Sequence, residues 1–342
     1  KTLADMLMNS LFLKKEFELE KNVVNEEIIR AIDNTAGHLN SEIYSLYFEG
    51  NNLANSIGGT PEIINKYDHT EAKKYYKTFY KPSNMVVSIC SNLDIEIIKK
   101  TIESSYLITK KSSKFVNTLY TNKNPLVKQV GIRSKAINRK LEQMHIGLGF
   151  RTTNMFNDDK YLLDIARVIL AGNMSSRLFT DLREDRGLTY TIHIDATEYR
   201  PSGHFTILTS VDKKRLIEYE DKGEIKMGAL KVIRQSLDKF INDGITESEL
   251  EKAKGYIDGK LVLANEDALN VSDYNGKLIS FNFDYVIPIQ RLFKIKYSLI
   301  TRKAVNKAIK KYFKKDNMSI FLIGDKVTQI IPDAVNIFES LK

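Results

Sequence analysis

The 342-residue chain carries 52 Lys and Arg against 43 Asp and Glu, a formal net charge of +9, and 42% of its residues are hydrophobic. This balance is typical of a soluble globular protein and excludes a disordered chain. No apolar run reaches the length that spans a bilayer. The single cysteine, Cys90, excludes an internal disulfide and a multi-cysteine zinc site. We expect Cys90 to be buried, because it ends the apolar run MVVSIC.

The first long helix is predicted around FELEKNVVNEEIIR, residues 17–30. At helical spacing one stripe carries mostly apolar side chains together with two carboxylates, Glu20 and Glu27; its members are Phe17, Glu20, Val24, Glu27, Ile28 and Ala31. Three interpretations remain open from spacing alone. The face is solvated, or the carboxylates pair with bases, or they face a metal.

A basic segment with aromatic residues follows, KYYKTFYK at residues 74–81. Lysines alternating with aromatic side chains suit single-stranded nucleic acid. The aromatic residues also form stripes at helical spacing, Tyr75 with Phe79 and Tyr76 with Tyr80, which favours packing in a core. Basic and acidic residues are interleaved along most of the chain, so we expect no nucleic-acid partner.

Two segments of the chain repeat one pattern. YKPSNMVVSICSNLD (80–94) and FKKDNMSIFLIGDKV (313–327) each predict a helix end, an apolar strand and a turn, and their Asn-Met pairs lie 233 residues apart. The simplest explanation is a duplicated α+β unit. A polar stretch closed by a proline, residues 109–125, marks the break between the copies.

The second half predicts a layer of strands with helices. Alternating apolar residues predict a strand at 142–150, and a helical period predicts a helix at 158–171. Strands are predicted at 189–196 and 204–211, followed by long helices at about 213–243 and 246–264. The last of these begins with a capping box formed by Thr246 and Glu249.

One turn in the second half brings two polar side chains together. In LREDRGLTYTIHI, Gly187 ends a helix and the chain continues directly into a strand. Arg183 and Tyr190 can then converge as a cationic fork and a phenolic donor, which suits a carbonyl that becomes an oxyanion. On spacing alone the simpler interpretation is favoured, in which Arg183 complements the helix C-terminus and Tyr190 packs in the core.

Four stretches together resemble the pitrilysin–insulinase family of zinc peptidases, in its mitochondrial processing peptidase-like branch. They are FELEKNVVNEEI, the segment from IGGTPEI to SNLD, GNMSSRLFTDLREDRGLTY and ITESELEKAKGYIDGKL. The resemblance implies an α+β fold of two homologous domains, each an antiparallel-rich sheet covered by helices on one face. It implies the end of the first, zinc-binding domain at 1–108, a linker at 109–126 and a second, substrate-gripping domain at 127–342.

The resemblance also assigns roles to residues. Glu27 matches the zinc-binding glutamate, and Glu20 an acidic residue that supports the site. Arg183 and Tyr190 match the pair that holds the substrate near the scissile bond. The inverted H-x-x-E-H motif, which supplies the other zinc ligands and the general base, is not in this sequence. The family places it upstream of the third ligand, so we expect the sequence to be the C-terminal portion of a longer precursor.

The implied function is zinc-dependent endopeptidase activity on unfolded peptides or presequences, with this chain inactive by itself. The implied partners are a peptide substrate and a homologous subunit in a homo- or heterodimer. The alternative is a non-catalytic subunit of the same fold, such as a processing peptidase partner or a respiratory core protein. A reducing intracellular compartment, cytoplasm or mitochondrial matrix, is the expected location.

Overall fold

The computed structural model describes residues 2–105, 126–281 and 286–341. The predicted linker 109–126 lies outside these residues except for its last position. The chain forms two compact units. Unit 1 comprises Lys1–Arg30, Ile57–Asn122 and Lys260–Leu292, and unit 2 comprises Ala31–Ser56, Lys123–Gly259 and Phe293–Lys342. These units are defined by packing contacts. The predicted domains, 1–108 and 127–342, are defined by the sequence repeat and the family resemblance. The division into these two domains stays a prediction.

The described chain begins with six helices, and groups of strands separated by helices follow. The first helices are α1 Thr2–Met8, α2 Lys14–Asp33, α3 Thr35–Tyr47, α4 Pro61–Lys66, α5 His69–Phe79 and α6 Ile95–Glu103. The strands are β1 Arg133–Asn138, β2 Gln143–Thr152, β3 Ile192–Glu198, β4 Gly203–Asp212, β5 Glu218–Asp221, β6 Glu224–Met227 and β7 Met318–Gly324. The later helices are α7 Asp159–Ala171, α8 Arg177–Phe179, α9 Ala229–Asn242, α10 Glu247–Glu266, α11 Ala268–Ser280, α12 Ile289–Leu292, α13 Arg302–Tyr312 and α14 Val327–Phe338.

Unit 2 is built on a five-stranded sheet with the order β1-β7-β2-β4-β3. The β1–β7 pair is parallel and the other pairs are antiparallel. One face forms a core in which the ring of Phe313 packs against Phe150, Phe205 and Phe240, at centroid distances of 4.7, 4.8 and 5.6 Å. The α+β class and the antiparallel-rich sheet predicted from the sequence are confirmed.

Helix α3, from early in the chain, packs on the opposite face of this sheet. Its residues Leu39, Ile43 and Tyr47 form a buried cluster with Phe48, Leu208, Phe321 and Ile323. The predicted fold has helices covering one face of the sheet, and here α3 covers the other face as well. The second face is apolar enough to bury a helix because β7 is hydrophobic on both sides, and every one of its residues is buried.

The predicted helix at about 213–243 is correct only from Ala229. The residues before it form the β5–β6 hairpin. Lys222 and Gly223 both have positive φ, 54° and 81°, which is the backbone of a tight hairpin turn. By contrast, the capping box of α10 is confirmed. The Glu249 N–H donates to Thr246 Oγ1 at 3.1 Å, and the Thr246 N–H donates to Glu249 Oε2 at 2.7 Å.

The internal repeat is confirmed by the helix boundaries. Several elements recur 233 residues later with identical bounds, so the two copies differ by no insertion between them. The matching pairs are α2 with α10, α3 with α11, α5 with α13, and the single turns Pro82–Asn84 with Lys315–Asn317.

The strand predicted in the first copy, MVVSIC, is wrong as a strand. The described residues 85–91 pair with no other strand, although Met85 has extended φ and ψ of −115° and 141°. Its counterpart β7 is bonded on both edges, by β1 and β2. The prediction that Cys90 is buried is wrong for the same reason. Without neighbouring strands Cys90 is exposed, as are Val87 and Ile89.

Within the described residues, no helix is long and apolar enough to cross a membrane.

Candidate active-site residues

A short helical turn in unit 2 positions Arg183. Helix α8 continues into a single π-helical turn, Thr180–Glu184. Leu182 within this turn and Leu188 after it both have buried side chains. Gly187 has a φ of +56°, and the Leu188 N–H donates to the Leu182 carbonyl at 2.8 Å, a bond that closes a helix C-terminus. The predicted role of Gly187 as the helix stop is confirmed.

The segment after this turn is fixed by Thr189. Its side chain is buried, and its hydroxyl oxygen lies 2.8 Å from Thr209 Oγ1, 2.8 Å from the Ser210 carbonyl oxygen and 2.9 Å from the Thr191 carbonyl oxygen, so its one proton can be donated to either carbonyl. These bonds attach the residue before Tyr190 to strand β4. The Tyr190 side chain itself is 76% exposed. It therefore does not pack in the core, which was the simpler interpretation of the sequence.

Arg183 and Tyr190 lie together, an arrangement that the spacing allows and that the family resemblance implies. The Arg183 guanidinium carbon lies 4.5 Å from the centre of the Tyr190 ring and 4.9 Å from that of Phe179. Aromatic faces hold a guanidinium without using its N–H donors. Among the described residues the Arg183 guanidinium has no carboxylate within 4 Å. Its fork is therefore available to an oxygen acceptor from outside the chain.

The two side chains lie on the wall of a cleft of about 430 Å³. The other polar residues of this wall are Gln143, Thr189, Ser210, Asp212 and Arg215. Asp212 and Gln143 are partners across β2 and β4, and Arg215 follows β4 in the turn Lys213–Arg215. Sequence reasoning did not identify Arg215 or Gln143, because neither is near Arg183 along the chain.

The two predicted acidic residues lie on helix α2, where both side chains are exposed. The repeat clarifies their orientation. Phe17, Glu20 and Val24 correspond, 233 residues on, to Leu250, Ala253 and Ile257 of α10, which are 2%, 1% and 8% exposed. Glu20 therefore lies at a position whose counterpart in α10 is buried, although its own side chain is exposed, and Glu27 corresponds to Lys260, which is exposed.

Within unit 1 the Glu20 face borders an apolar cavity of about 580 Å³. Its aromatic lining is Phe12, Phe17, Tyr67, Tyr75, Tyr76 and Tyr80. The predicted aromatic stripes are present, with ring centroids 4.4 Å apart for Tyr75 and Phe79, and 5.3 Å apart for Tyr76 and Tyr80.

A zinc ion takes three or four protein ligands, from His, Cys, Asp or Glu. Among the described residues, no group of three or more such side chains is arranged to hold a metal. Glu20 and Glu27 supply carboxylates, and no described histidine completes a set with them. The described part of the chain therefore does not fit a complete zinc site.

The chain is similar to a known protein family and to curated proteins. Residues 66–256 match the family described as "Peptidase M16 inactive domain", a range that includes Arg183 and Tyr190. An "Uncharacterized zinc protease" of Rickettsia bellii is 31% identical over 289 residues, which cover 84% of this chain and 65% of that protein. The chain spans less than two thirds of the length of the curated relatives that it first matches.

Two solved structures share the fold. A protease from Helicobacter pylori superposes with a TM-score of 0.77 at 19% identity, covering 91% of this chain and 72% of that one. A chain of Complex III2 from Candida albicans superposes with a TM-score of 0.76 at 14% identity, covering 98% of this chain and 79% of that one. At these identities the likeness concerns the fold.

Proposed function

This chain belongs to the peptidase M16 family, and we propose that it forms part of a zinc-dependent endopeptidase in which Arg183 and Tyr190 hold the substrate backbone. The observation that carries this proposal is the Arg183 guanidinium placed 4.5 Å over the ring of an exposed Tyr190, at the wall of a cleft. Relatives named zinc proteases support the reaction class. The proposed substrates are unfolded peptides or presequences.

The geometry suits a peptide carbonyl. The Arg183 fork and the Tyr190 hydroxyl are hydrogen-bond donors that have no protein acceptor within the described residues. When a peptide bond is attacked, its carbonyl oxygen gains negative charge, and fixed donors stabilise that charge more than they stabilise the ground state. Thr189 and Gly187 keep the two donors in place before substrate arrives, which reduces the ordering cost.

The role proposed for Glu27 is that of one zinc ligand, with Glu20 supporting it from the same helix. This role rests on the match of FELEKNVVNEEI to the family pattern and on the position of Glu20 in α2, whose repeat counterpart Ala253 is buried. The zinc, when bound, would supply Lewis-acid chemistry and an activated water. The remaining ligands are not among the described residues.

Substitution of the tyrosine tests the proposal in the complete gene product. Tyr190→Phe retains the ring beneath Arg183 and removes the phenolic donor. We expect kcat for a quenched fluorescent peptide to fall roughly 10²-fold, the effect of losing one oxyanion donor, with bound zinc unchanged. Zinc analysis by mass spectrometry is the second readout. An unchanged kcat, or a loss of zinc, would contradict the role given to Tyr190.

The metal role is tested on neighbouring carboxylates of α2. Glu27→Gln should remove chelator-sensitive cleavage and most of the bound zinc, because the amide is a weaker ligand than the carboxylate. Glu26→Gln, which makes the same change one residue earlier, should leave both unchanged. Cleavage and zinc content that survive in Glu27→Gln would show that Glu27 is not a ligand.

A second candidate function is that of a non-catalytic, peptide-gripping subunit, which pairs with a homologous subunit in a homo- or heterodimer. The family description "inactive domain" over residues 66–256 favours it. The complete protein would then bind peptide through Arg183 and Tyr190 without cleaving it. Absence of zinc-dependent cleavage, together with peptide binding that Tyr190→Phe weakens, would favour this candidate over the first.

A further inference from the structure

A second arginine lines the cleft that contains Arg183 and Tyr190. Arg215 is half-buried in the turn Lys213–Arg215, which follows strand β4. Its Nη1 donates to the Gly187 carbonyl at 3.4 Å, and its guanidinium carbon lies 5.0 Å from the centre of the Tyr219 ring. Because Gly187 ends the turn that bears Arg183, both arginines are attached to the same short piece of backbone.

Neither guanidinium is neutralised by an ion pair. Among the described residues no carboxylate lies within 4 Å of Arg183 or Arg215. The nearby acid Asp221 pairs with Lys226 at 2.5 Å. The acid of the cleft wall itself, Asp212, caps the following turn by accepting the Lys214 N–H at 2.8 Å. The polar wall therefore carries two cations and one anion.

Two guanidinium groups in a concave, partly shielded site are suited to a carboxylate. The planar fork of arginine matches the two carboxylate oxygens, and such charge-assisted bonds are about twice as strong as neutral ones. A basic peptide would instead meet two like charges. The cleft thus discriminates by the charge of the peptide as well as by its backbone.

The geometry points to a carboxylate-binding subsite, formed by Arg215 beside Arg183, that selects peptides with an acidic group next to the segment held by Tyr190. This inference rests on the proposed function, since it assumes that peptide lies in the cleft. The carboxylate comes from an acidic side chain or from the C-terminus of the peptide. Arg215 is a specificity-determining residue here and takes no part in bond cleavage.

The test measures binding of labelled peptides by fluorescence anisotropy, with chelator present so that no turnover occurs. One peptide pair differs by Glu against Gln, and a second pair by a C-terminal acid against an amide. We expect the wild type to prefer the acidic member of one pair about tenfold, which corresponds to about 1.4 kcal/mol. The pair that shows the preference identifies the source of the carboxylate.

Substitutions assign the preference to Arg215. Arg215→Gln should reduce it below about twofold, since one charge-assisted contact is lost. Arg215→Lys should restore it in part. The matched control is Lys214→Gln, which removes the same charge from the adjacent, exposed residue and should leave the preference intact. Thermal unfolding of each variant separates lost recognition from lost packing on Tyr219.

Three results would overturn the inference. The first is a wild type that binds both members of each pair equally. The second is a preference that persists in Arg215→Gln, and the third is a preference that disappears equally in Lys214→Gln. If the neutral peptides bind and Tyr190→Phe weakens them, the proposed function stands and only the carboxylate subsite fails. If no peptide binds, both proposals fail.

Discussion

The hydroxyl of Thr189 attaches the residue before Tyr190 to strand β4. It lies within hydrogen-bond distance of Thr209 Oγ1, which is buried, and of the Thr191 and Ser210 carbonyls, which are partly buried. Valine has nearly the same shape and lacks the hydroxyl. A buried carbonyl that loses its donor retains its desolvation cost.

We therefore expect Thr189→Val to lower the free energy of unfolding by about 1–3 kcal/mol. Peptide binding should weaken as well, because Tyr190 is then less well fixed. Denaturant unfolding and peptide anisotropy measure the two effects. Thr189→Ser, which keeps the hydroxyl, is the control and should retain most of both. A Thr189→Val variant as stable as the wild type would show that these bonds do not fix the segment.

At this scale the sequence revealed part of the candidate site. Gly187, which lies between Arg183 and Tyr190, predicted a helix stop. Because these three residues are close in sequence, the turn at Gly187 is sufficient to bring the two side chains near each other. Arg215 could not be found in the same way. It reaches Gly187 only because β4 pairs with β2 and β3 and returns the chain to this turn.

Among the secondary-structure elements, α3 packs so closely on the sheet that one of its side chains lies against a strand glycine. A Cβ built on Gly149 of β2 would collide with the Tyr47 hydroxyl of α3 and with the Phe205 carbonyl. Glycine is required at this position for space, since its φ is not positive. By contrast, a Cβ on Gly255 of α10 would meet nothing within 4 Å.

These two glycines make a matched pair. Gly149→Ala should lower the free energy of unfolding by about 2 kcal/mol or more, the cost of overpacking a buried contact. Gly255→Ala should raise it by roughly 0.5–1 kcal/mol, because alanine favours an exposed helix interior. Chemical denaturation measures both. Equal effects of the two substitutions would show that α3 does not pack on the sheet as described.

The element scale also explains the failed strand prediction. Residues 85–91 and β7 have similar apolar patterns and lie at the same position of the repeat. Only β7 has β1 and β2 beside it. A β-strand requires hydrogen bonds to neighbouring strands. The apolar pattern of a segment therefore indicates that it can form a strand, but it does not show whether neighbouring strands are present.

Stability of the molecule as a whole should depend on pH through one buried histidine of unit 2. His204 is fully buried, and burial lowers its pKa to about 4. Its Nε2 lies 3.0 Å from the Tyr44 hydroxyl, its Nδ1 lies 3.0 Å from Thr206 Oγ1, and its ring stacks on that of Tyr47. Asp195, the charged group that acts on it, opposes the shift without cancelling it.

Between the unfolded value near 6.5 and the folded value, the unfolded chain binds more protons at this site. The contribution of His204 is therefore complete above the unfolded pKa and is lost as pH falls toward the folded pKa. We expect the free energy of unfolding to fall by about 2–3 kcal/mol from this residue between pH 7 and pH 4.

The comparison variant is His204→Gln, which has hydrogen-bonding groups and no titration in this range. Its unfolding free energy should depend less steeply on pH below 6.5, when both proteins are followed by denaturant unfolding. The difference between the two slopes isolates His204 from the other histidines. Parallel curves would contradict the assignment.

The sequence by itself determined the α+β class, the duplication and the family, because helical period, strand alternation and the Arg183–Tyr190 signature are local patterns. It also placed the repeat at an offset that the helix bounds match residue for residue. Such local patterns show which face of a helix or strand is apolar, and each is contained within a single element.

Only the tertiary structure decided which surfaces meet. It assigned α3 to the sheet of unit 2, left Cys90 exposed, and placed Arg215 in the cleft with Arg183. An apolar face can be buried by any complementary apolar surface, and a strand can pair with any free edge of a sheet. Such partners lie far apart along the chain, and their choice depends on the packing of the whole unit.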